Sequence, residues 1–501
     1  MYNHSEHHML LPDDFFLPFG GKLNKHNRWV KLANLIPWWK VEDQYKHHLK
    51  DLTQGAHAYS VRLALGALII KERLGTSDRE TVEQVTENPY LQYFLGLPDY
   101  QEDPPFHASS MTHFRKRITR DILNQVNEWV VEEARGSSKE ADSDDDDSHH
   151  GSGGASKSSV SKPDQPDKSE EPRYHQGKLL IDATCAPADI TYPTDVTLLN
   201  KSREKLEGMI DTLHDSLGGS QKKPRTYRQK ARKEYVSLTK QKKPSKRKLR
   251  KGIRKQLNYV KRDLKHVTNL VDQVGLSALS RRQYRDLLVI QAVYRQQKQM
   301  YTSKSHRIDD RIVSISQPHV RPIVRGKAHT NVEFGAKLSL VMRDGWAFLD
   351  NVRWDAYHEG TDLKRAIASY KNRFGYYPEA VLADRIYLTR ENRAYCKREG
   401  IRLSGPKLGR PSKKENKEQK RVAYQDARER NAIEGKFGEA KRTYGLGLIR
   451  ARLKETSESI IALQVLNLNL SKALRALHFF LLMTTIGSLT SDKRDCQMKT
   501  H

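Results

Sequence analysis

The sequence predicts an α/β domain with a mixed sheet, an all-α N-terminal domain and a long helical insertion. Three observations carry this prediction. Apolar residues in the first 135 positions recur at three- and four-residue spacing, as on the buried face of a helix. From Phe334 onward, short apolar runs alternate with helical segments, an order typical of helices packed on a sheet. Between these regions lies an apolar seam with the spacing of a heptad repeat.

Composition narrows the class of protein. The chain has 501 residues, 89 Lys and Arg against 61 Asp and Glu, and a formal charge of +28. Its 37% hydrophobic content, over 501 residues, excludes wholesale disorder. Three widely separated cysteines (Cys185, Cys396, Cys496) exclude a small disulfide scaffold, and they form no pair with the spacing of metal ligands. The excess of positive charge predicts a polyanionic partner, and nucleic acid is the commonest one inside a cell.

Nothing in the sequence predicts export or membrane insertion. The N-terminus has no basic segment followed by an apolar core. The most apolar stretch, residues 474–489, is interrupted by Arg475 and His478 and is shorter than the roughly 18–20 residues of a spanning helix. We expect a soluble cytoplasmic protein.

Residues 1–135 are predicted to be helical. A helix over residues 59–74 is expected to end at Gly75, and Ser77 with Glu80 has the spacing of a capping box. Apolar spacing predicts one further helix over residues 110–135. A packed bundle is the simplest interpretation, and DNA binding or dimerisation is the functional alternative. Residues 136–172, an acidic block followed by a Ser-, Lys- and Pro-rich stretch, are predicted to be a disordered linker.

Residues 198–301 are predicted to form a helical hairpin that is inserted into the α/β domain. The seam starts at Ile253 and steps by four and three residues to Val274, before Gly275. Ahead of it, residues 222–262 hold 19 Lys and Arg, too one-sided for an ordinary solvated face. We expect contacts with the DNA backbone, which give affinity without sequence information. The residues expected to make them are Lys222, Lys223, Arg225, Arg228, Lys242, Lys243, Lys246, Arg247, Lys248, Arg250 and Lys251.

The α/β domain is predicted over residues 173–197 and 302–457, followed by a C-terminal helix and tail over residues 458–501. Short apolar strands at 178–183 and 380–383 end in the carboxylates Asp182 and Asp384. Asp344 and Gly345 have the sequence of a tight hairpin turn. A helix over residues 427–443 carries a third acid, Glu434, on one face with Arg430 and Lys441.

Two aspartates and a glutamate that meet at one site suit a pair of Mg²⁺ ions, which take carboxylate oxygens and phosphate as ligands. Such a pair activates the attacking oxygen and stabilises the leaving 3′ oxygen. The sequence therefore predicts Asp182, Asp384 and Glu434 as catalytic metal ligands, with Mn²⁺ able to replace Mg²⁺. Arg430 and Lys441 are the expected phosphate-binding cations.

Other interpretations stay open at this point. A single Asp at a strand end is commonly a cap or a surface residue, and an Arg and a Glu four positions apart commonly form an exposed ion pair. Glu439 is the main rival for the third acid. Asp350, Asp355 and Asp362 are lesser rivals.

Several blocks, in order, resemble DDE transposases of bacterial insertion sequences, in the group that includes the insertion-sequence-four and insertion-sequence-five families. They are TSDRETVEQVTENPYLQYFLGLP with SSMTHFRKR, then LLIDATCAPADITYPTDVTLL, RIVSISQPHVRPIVRGKAHTNVEFGAK, VLADRIY and RNAIEGKFGEAK. The resemblance implies a ribonuclease-H-like catalytic core in which Asp182, Asp384 and Glu434 form the metal-binding triad. The fuller signature has a Tyr where this chain has Ala427, and Tyr424 lies one turn earlier.

The resemblance also implies a function: binding of terminal inverted repeats, cleavage that releases 3′-hydroxyls, and joining of these ends to target DNA, by a homodimer on paired ends. Two rivals share the same residues. One is a two-metal nuclease without strand transfer, and the other is a catalytically inactive DNA-binding remnant or repressor.

Overall fold

The computed structural model describes residues 11–18, 20–46, 58–142, 175–218, 221–324, 332–406 and 417–498. Seven helices precede the sheet, and the predicted end at Gly75 is confirmed by its left-handed φ of 68°. Ser77 caps the next helix by accepting a hydrogen bond from Glu80 N, whereas the Glu80 carboxylate accepts one from Gln84. The helices are α1 (Arg28–Leu35), α2 (Trp38–Lys46), α3 (Val61–Leu74), α4 (Asp78–Glu87), α5 (Pro89–Phe94), α6 (Ser110–Arg117) and α7 (Arg120–Asp142).

The prediction of a single helix over residues 110–135 is wrong, because the helix is interrupted between α6 and α7. Ile118 adopts an extended conformation and is fully buried, and Thr119 accepts a hydrogen bond from Ile122 N. The apolar spacing continues across the break, so periodicity alone did not reveal it. Helix α7 also takes in the first residues of the predicted linker, most of which lies outside the described residues.

A six-stranded mixed sheet forms the centre of the α/β domain. The predicted hairpin is confirmed, with Asp344 and Gly345 both at positive φ. The order is β2-β3-β1-β5-β6, and β4 pairs with β3; β3 is antiparallel to β1, whereas β1, β5 and β6 are parallel. This architecture is compatible with a ribonuclease-H-like core. The strands are β1 (Lys178–Pro187), β2 (Arg321–Val324), β3 (Val332–Arg343), β4 (Trp346–Arg353), β5 (Ala380–Ala383) and β6 (Arg402–Leu403).

Three helices accompany the parallel half of the sheet: α12 (Leu363–Phe374), α13 (Arg390–Arg398) and α14 (Lys417–Thr443). Thr389 caps helix α13 by accepting a hydrogen bond from Asn392 N. A 3-10 turn over Glu359–Asp362 precedes helix α12. Helix α14 begins ten residues earlier than predicted.

The insertion contains α8 (Asp195–Asp215), α9 (Arg228–Thr239), α10 (Lys246–Val274) and α11 (Arg281–Ser303). The predicted hairpin corresponds to α10 and α11, and α8 also packs along α10. The seam residues of α10 contribute to a hydrophobic core that is separate from the core under the sheet. The insertion is therefore a small bundle with its own core.

The last helix, α15 (Lys454–Met498), packs against α7 and β4. Buried amides join the three elements, since Asn469 Nδ2 donates to Asn127 Oδ1 (2.8 Å) and Ala347 N donates to Asn469 Oδ1 (3.0 Å). Its segment Lys454–Phe479 is long and apolar enough to cross a membrane, but 67% of its most apolar window is buried inside the protein. This burial is what a core helix requires.

Candidate active site

Two neighbouring parallel strands bring the predicted aspartates together. The register pairs Leu180 with Leu382 and Ile181 with Ala383, so the next residues, Asp182 and Asp384, lie side by side where the pairing of β1 with β5 ends. The prediction that the first strand ends at Asp182 is wrong, because β1 continues alongside β3 to Pro187. Asp182 Oδ1 accepts a hydrogen bond from Ala183 N at 2.8 Å. Asp384 caps a 3-10 turn by accepting one from Arg385 N at 2.7 Å.

Helix α14 carries the third acid across the same strands. Its apolar face, including Ile433 and Phe437, packs toward β1 and β5. Ion pairs fix the helix to β1 and β6, since Lys178 Nζ of β1 lies 2.8 Å from Glu429 and Arg402 of β6 binds Asp426 through two hydrogen bonds. Glu434 therefore projects from a helix that is held on the parallel half of the sheet, in which β1 and β5 carry the aspartates.

Arg430 connects α14 directly to the second aspartate. Its Nη1 lies 3.2 Å from Asp384 Oδ1. Glu434 follows Arg430 by one turn, so the ion pair and the third acid occupy the same face of α14. Lys441, two turns further on, lines a cavity that α14 forms with the N-terminal helices. The structure thus brings Arg430 to the acids and Lys441 to the neighbouring groove.

The pKa of Asp182 is affected by the other carboxylates around it. Its pKa is raised to about 6, chiefly by burial and also by the negative charges of Glu359, Asp384 and Glu434, while the hydrogen bond from Ala183 N acts to lower it. Three acids predicted from separate parts of the sequence therefore interact electrostatically. A cation among them would relieve this repulsion.

Glu359 was missed by sequence reasoning, although it acts more strongly on Asp182 than the predicted acids do. It lies in the 3-10 turn before α12 and forms a 2.7 Å ion pair with Lys337 of β3. Both side chains are largely buried, with 11% of Lys337 and 16% of Glu359 exposed. No pattern in the sequence singled out this residue, because the contact is made only in the folded sheet.

The rival acids have other partners. Glu439 pairs with Lys436 (3.0 Å) and with Arg475 of α15 (2.9 Å). Asp350 and Asp362 share Arg365, and Asp355 pairs with Arg353. These ion pairs give each rival a structural role.

The donor set suits a hard divalent cation, since all of the candidate ligands are carboxylates. Among the described residues, no group of three or more His, Cys, Asp or Glu side chains is arranged to hold a metal ion as the side chains stand. Glu434 is exposed and the Asp384 side chain is 53% exposed, so both have room to turn toward an ion. The residues therefore fit the cation by chemistry and by access.

The eleven predicted DNA-contacting cations of the insertion are all exposed. Some are held locally: Lys223 and Arg228 pair with Asp211, and Arg250 lies over the Tyr301 ring. Six others surround the start of α10 and have no ion-pair partner among the described residues. We call these six the basic tip: Lys242, Lys243, Lys246, Arg247, Lys248 and Lys251.

Comparison with known proteins bears on the same elements. Residues 381–471 match the family model described as "Transposase DDE domain", and residues 18–117 match "Transposase domain (DUF772)". The first match contains Asp384, Arg430, Glu434 and Lys441, and it lies downstream of Asp182.

A protein of Rhizobium meliloti described as "Uncharacterized protein ORF8 in nfe locus" is 35% identical over 112 residues, 22% of this chain. The match spans 53% of the relative's own length. No solved structure matches the chain. The two transposase models, which match the N-terminal helices and the region that contains Asp384 and Glu434, support a DDE-type insertion-sequence transposase.

Proposed function

We propose that the protein binds the terminal inverted repeats of its insertion sequence, cleaves DNA by two-metal phosphodiester hydrolysis and joins the 3′ ends to target DNA. The observation that carries the proposal is the meeting of Asp182, Asp384 and Glu434, from β1, β5 and α14, in one electrostatically coupled group. The matched transposase domains support the same chemistry.

We also infer that the sheet is a ribonuclease-H-like core. Support comes from the order β4-β3-β1-β5-β6, in which β3 alone runs antiparallel to the other strands. In this order the two aspartates occupy adjacent central strands. The edge strand β2 and the insertion are additions to that core.

Each residue of the group has a distinct task. Asp182 and Asp384 are held by backbone hydrogen bonds at the sheet edge, and Glu434 faces them from α14. Arg430 keeps Asp384 oriented and adds positive charge where a phosphate arrives. Two Mg²⁺ or Mn²⁺ ions held by the three carboxylates would supply activation of the attacking oxygen and stabilisation of the leaving 3′ oxygen.

DNA binding is assigned to the positively charged surfaces of the chain. The basic tip supplies cations for the phosphate backbone, and these cations have no ion-pair partner in the part of the chain that the structure describes. Because strand transfer joins two ends, we propose a homodimer that holds a pair of ends.

The experiment uses the full chain with a duplex that carries the repeat flanking the gene and a supercoiled target plasmid. We expect Mg²⁺-dependent nicking at the repeat boundary and joined products, both lost in EDTA. Glu434→Gln abolishes both reactions but keeps DNA binding, because it removes a carboxylate and leaves the cationic surfaces intact. Glu439→Gln, on the same helix but in ion pairs with Lys436 and Arg475, is the matched control and retains both reactions.

The other outcomes separate the rivals. Cleavage without joined products supports a nuclease that lacks strand transfer. Binding without metal-dependent cleavage supports an inactive DNA-binding remnant or repressor. Cleavage by Glu434→Gln at the wild-type rate would overturn the assignment of the third acid.

A further inference from the structure

The ten residues between α14 and α15, residues 444–453, form a rigid connecting segment beside the sheet. Ile449 N donates to Pro187 O at 2.8 Å, and Asp189 N donates to Ile449 O at 3.0 Å, so the segment pairs with the end of β1. Two apolar side chains of the segment itself, Leu446 and Ile449, are buried. The exposed side chains of the segment are therefore presented by a fixed backbone.

A cavity of about 680 Å³ separates this segment from the N-terminal helices. Seven cations and two acids, Glu72 and Asp78, line it. Asp78 already binds Arg115 through two hydrogen bonds, and Glu72 accepts one from Gln464. The seven cations outnumber the two acids, so the lining carries a net positive charge.

A second cavity, of about 530 Å³, lies on the other side of the segment, against α8 and α11. It is lined by four cations, including Lys201 and Arg282, and by the acids Asp189 and Glu204. Arg452 lines both cavities, so the two positively charged surfaces are continuous. We call the exposed cations along them the basic track: Lys116, Arg442, Arg450, Arg452, Lys201 and Arg282.

None of these six side chains has an ion-pair partner among the described residues, and Arg442 donates one hydrogen bond, to Gly438 O. Exposed cations that follow one another across three parts of a fold repel each other, and a bound polyanion relieves this repulsion. The track also lies within reach of the acids. From Asp182 to Ala188, where the segment pairs, six strand residues span about 20 Å, which is about six base pairs of duplex.

We propose that the basic track is a second duplex-binding surface, which holds the phosphate backbone of double-stranded DNA between the N-terminal helices and the insertion. This inference rests on the proposed function, because it places the DNA whose phosphodiester the acids would cleave. It adds residues that no sequence pattern indicated, and it is separate from the basic tip on α10. Arg452 is the central contact, because it borders both cavities.

The test measures duplex binding in EDTA, without cleavage, over 50–200 mM salt. Each phosphate contact contributes about 0.9 to the slope of log affinity against log salt. Arg450→Ala with Arg452→Ala should lower the slope by about 1.8, so that its affinity deficit is about 12-fold larger at 50 mM than at 200 mM salt. Arg390→Ala with Arg398→Ala removes the same charge from exposed positions on α13 and should leave the slope unchanged.

Lys116→Gln, on the opposite wall of the first cavity, should lower the slope by about 0.9. Thermal unfolding checks that each variant is folded. Equal slopes for the two double variants, or no change with Lys116→Gln, would overturn the track while leaving the proposed function intact. A wild-type chain that does not bind duplex DNA at all would overturn the proposed function itself.

Discussion

Asp263 of α10 makes the stability of the insertion depend on pH. Its side chain is completely buried, and neither carboxyl oxygen accepts a hydrogen bond from a described residue. Burial raises its pKa from 3.8 to about 7, although Arg262, with Nε 3.8 Å from Oδ1, acts to lower the pKa. The folded insertion therefore keeps a proton on Asp263 at pH values where the unfolded chain has lost it.

The direction and the size of the pH effect on stability follow from the difference between the pKa of Asp263 in the folded and in the unfolded chain. Because the folded pKa is the higher one, the stabilisation is complete below pH 4 and is lost as the pH rises to about 7. At 1.36 kcal/mol per pKa unit, the insertion loses about 4 kcal/mol over that interval. Asp263→Asn removes the titrating group and should abolish this dependence.

Hydrogen exchange of α10 amides in the full chain measures the opening of the bundle directly. Wild type and Asp263→Asn are compared at the same pH, so that the intrinsic exchange rate cancels. Between pH 4.5 and pH 8 the protection of wild type relative to the variant should fall by two to three orders of magnitude, about 1.36 kcal/mol for each. A constant ratio over this range would refute the reasoning.

Three further predictions concern the site and the cationic surfaces. Arg430→Ala frees Asp384 from its ion pair and should reduce the single-turnover cleavage rate about 10- to 100-fold with little loss of DNA affinity; an unchanged rate would contradict its positioning role. Lys337→Met leaves Glu359 largely buried without its ion-pair partner, so it should destabilise the protein by about 3 kcal/mol and lower its melting temperature. Adding Glu359→Gln should recover most of this stability, and a double variant that recovers none would contradict the pairing. Replacing the basic tip with glutamine should weaken duplex binding equally for repeat and unrelated sequences, and a loss confined to the repeat would show base-specific contacts instead.

Local signals in the sequence predicted the aspartates and their strands. Each short apolar run followed by a carboxylate is a contiguous feature, although only β5 ends at its carboxylate, and β1 continues past Asp182 to Pro187. The interaction of Asp182 with Glu434 needed the packing of α14, yet the acid itself lay in a recognisable helical pattern. The sequence was therefore sufficient to single out three acids that interact electrostatically in the folded protein, and their catalytic role stays a prediction.

Contacts between distant segments could not be predicted from the sequence. Glu359 acts on Asp182 because a turn before α12 folds against Lys337 of β3. The connecting segment pairs with the end of β1 through backbone atoms, which have no residue-specific signature. The break at Ile118 was hidden because a buried residue preserved the apolar period across it.

The position of the insertion explains why its stability and the catalytic site should respond independently. It interrupts the connection from β1 to the strands that follow, where loop-closure entropy rises only slowly with the number of added residues. Its apolar residues pack into their own core rather than into the core beneath the sheet. The sheet can therefore hold Asp182 and Asp384 without contributions from α9 or α10. If the basic tip contributes to DNA affinity as proposed, raising the pH from about 4.5 to 7 should weaken binding by wild type more than by Asp263→Asn, while the two proteins keep equal cleavage rates at saturating DNA. A difference in those saturated rates would mean that the insertion takes part in the chemistry.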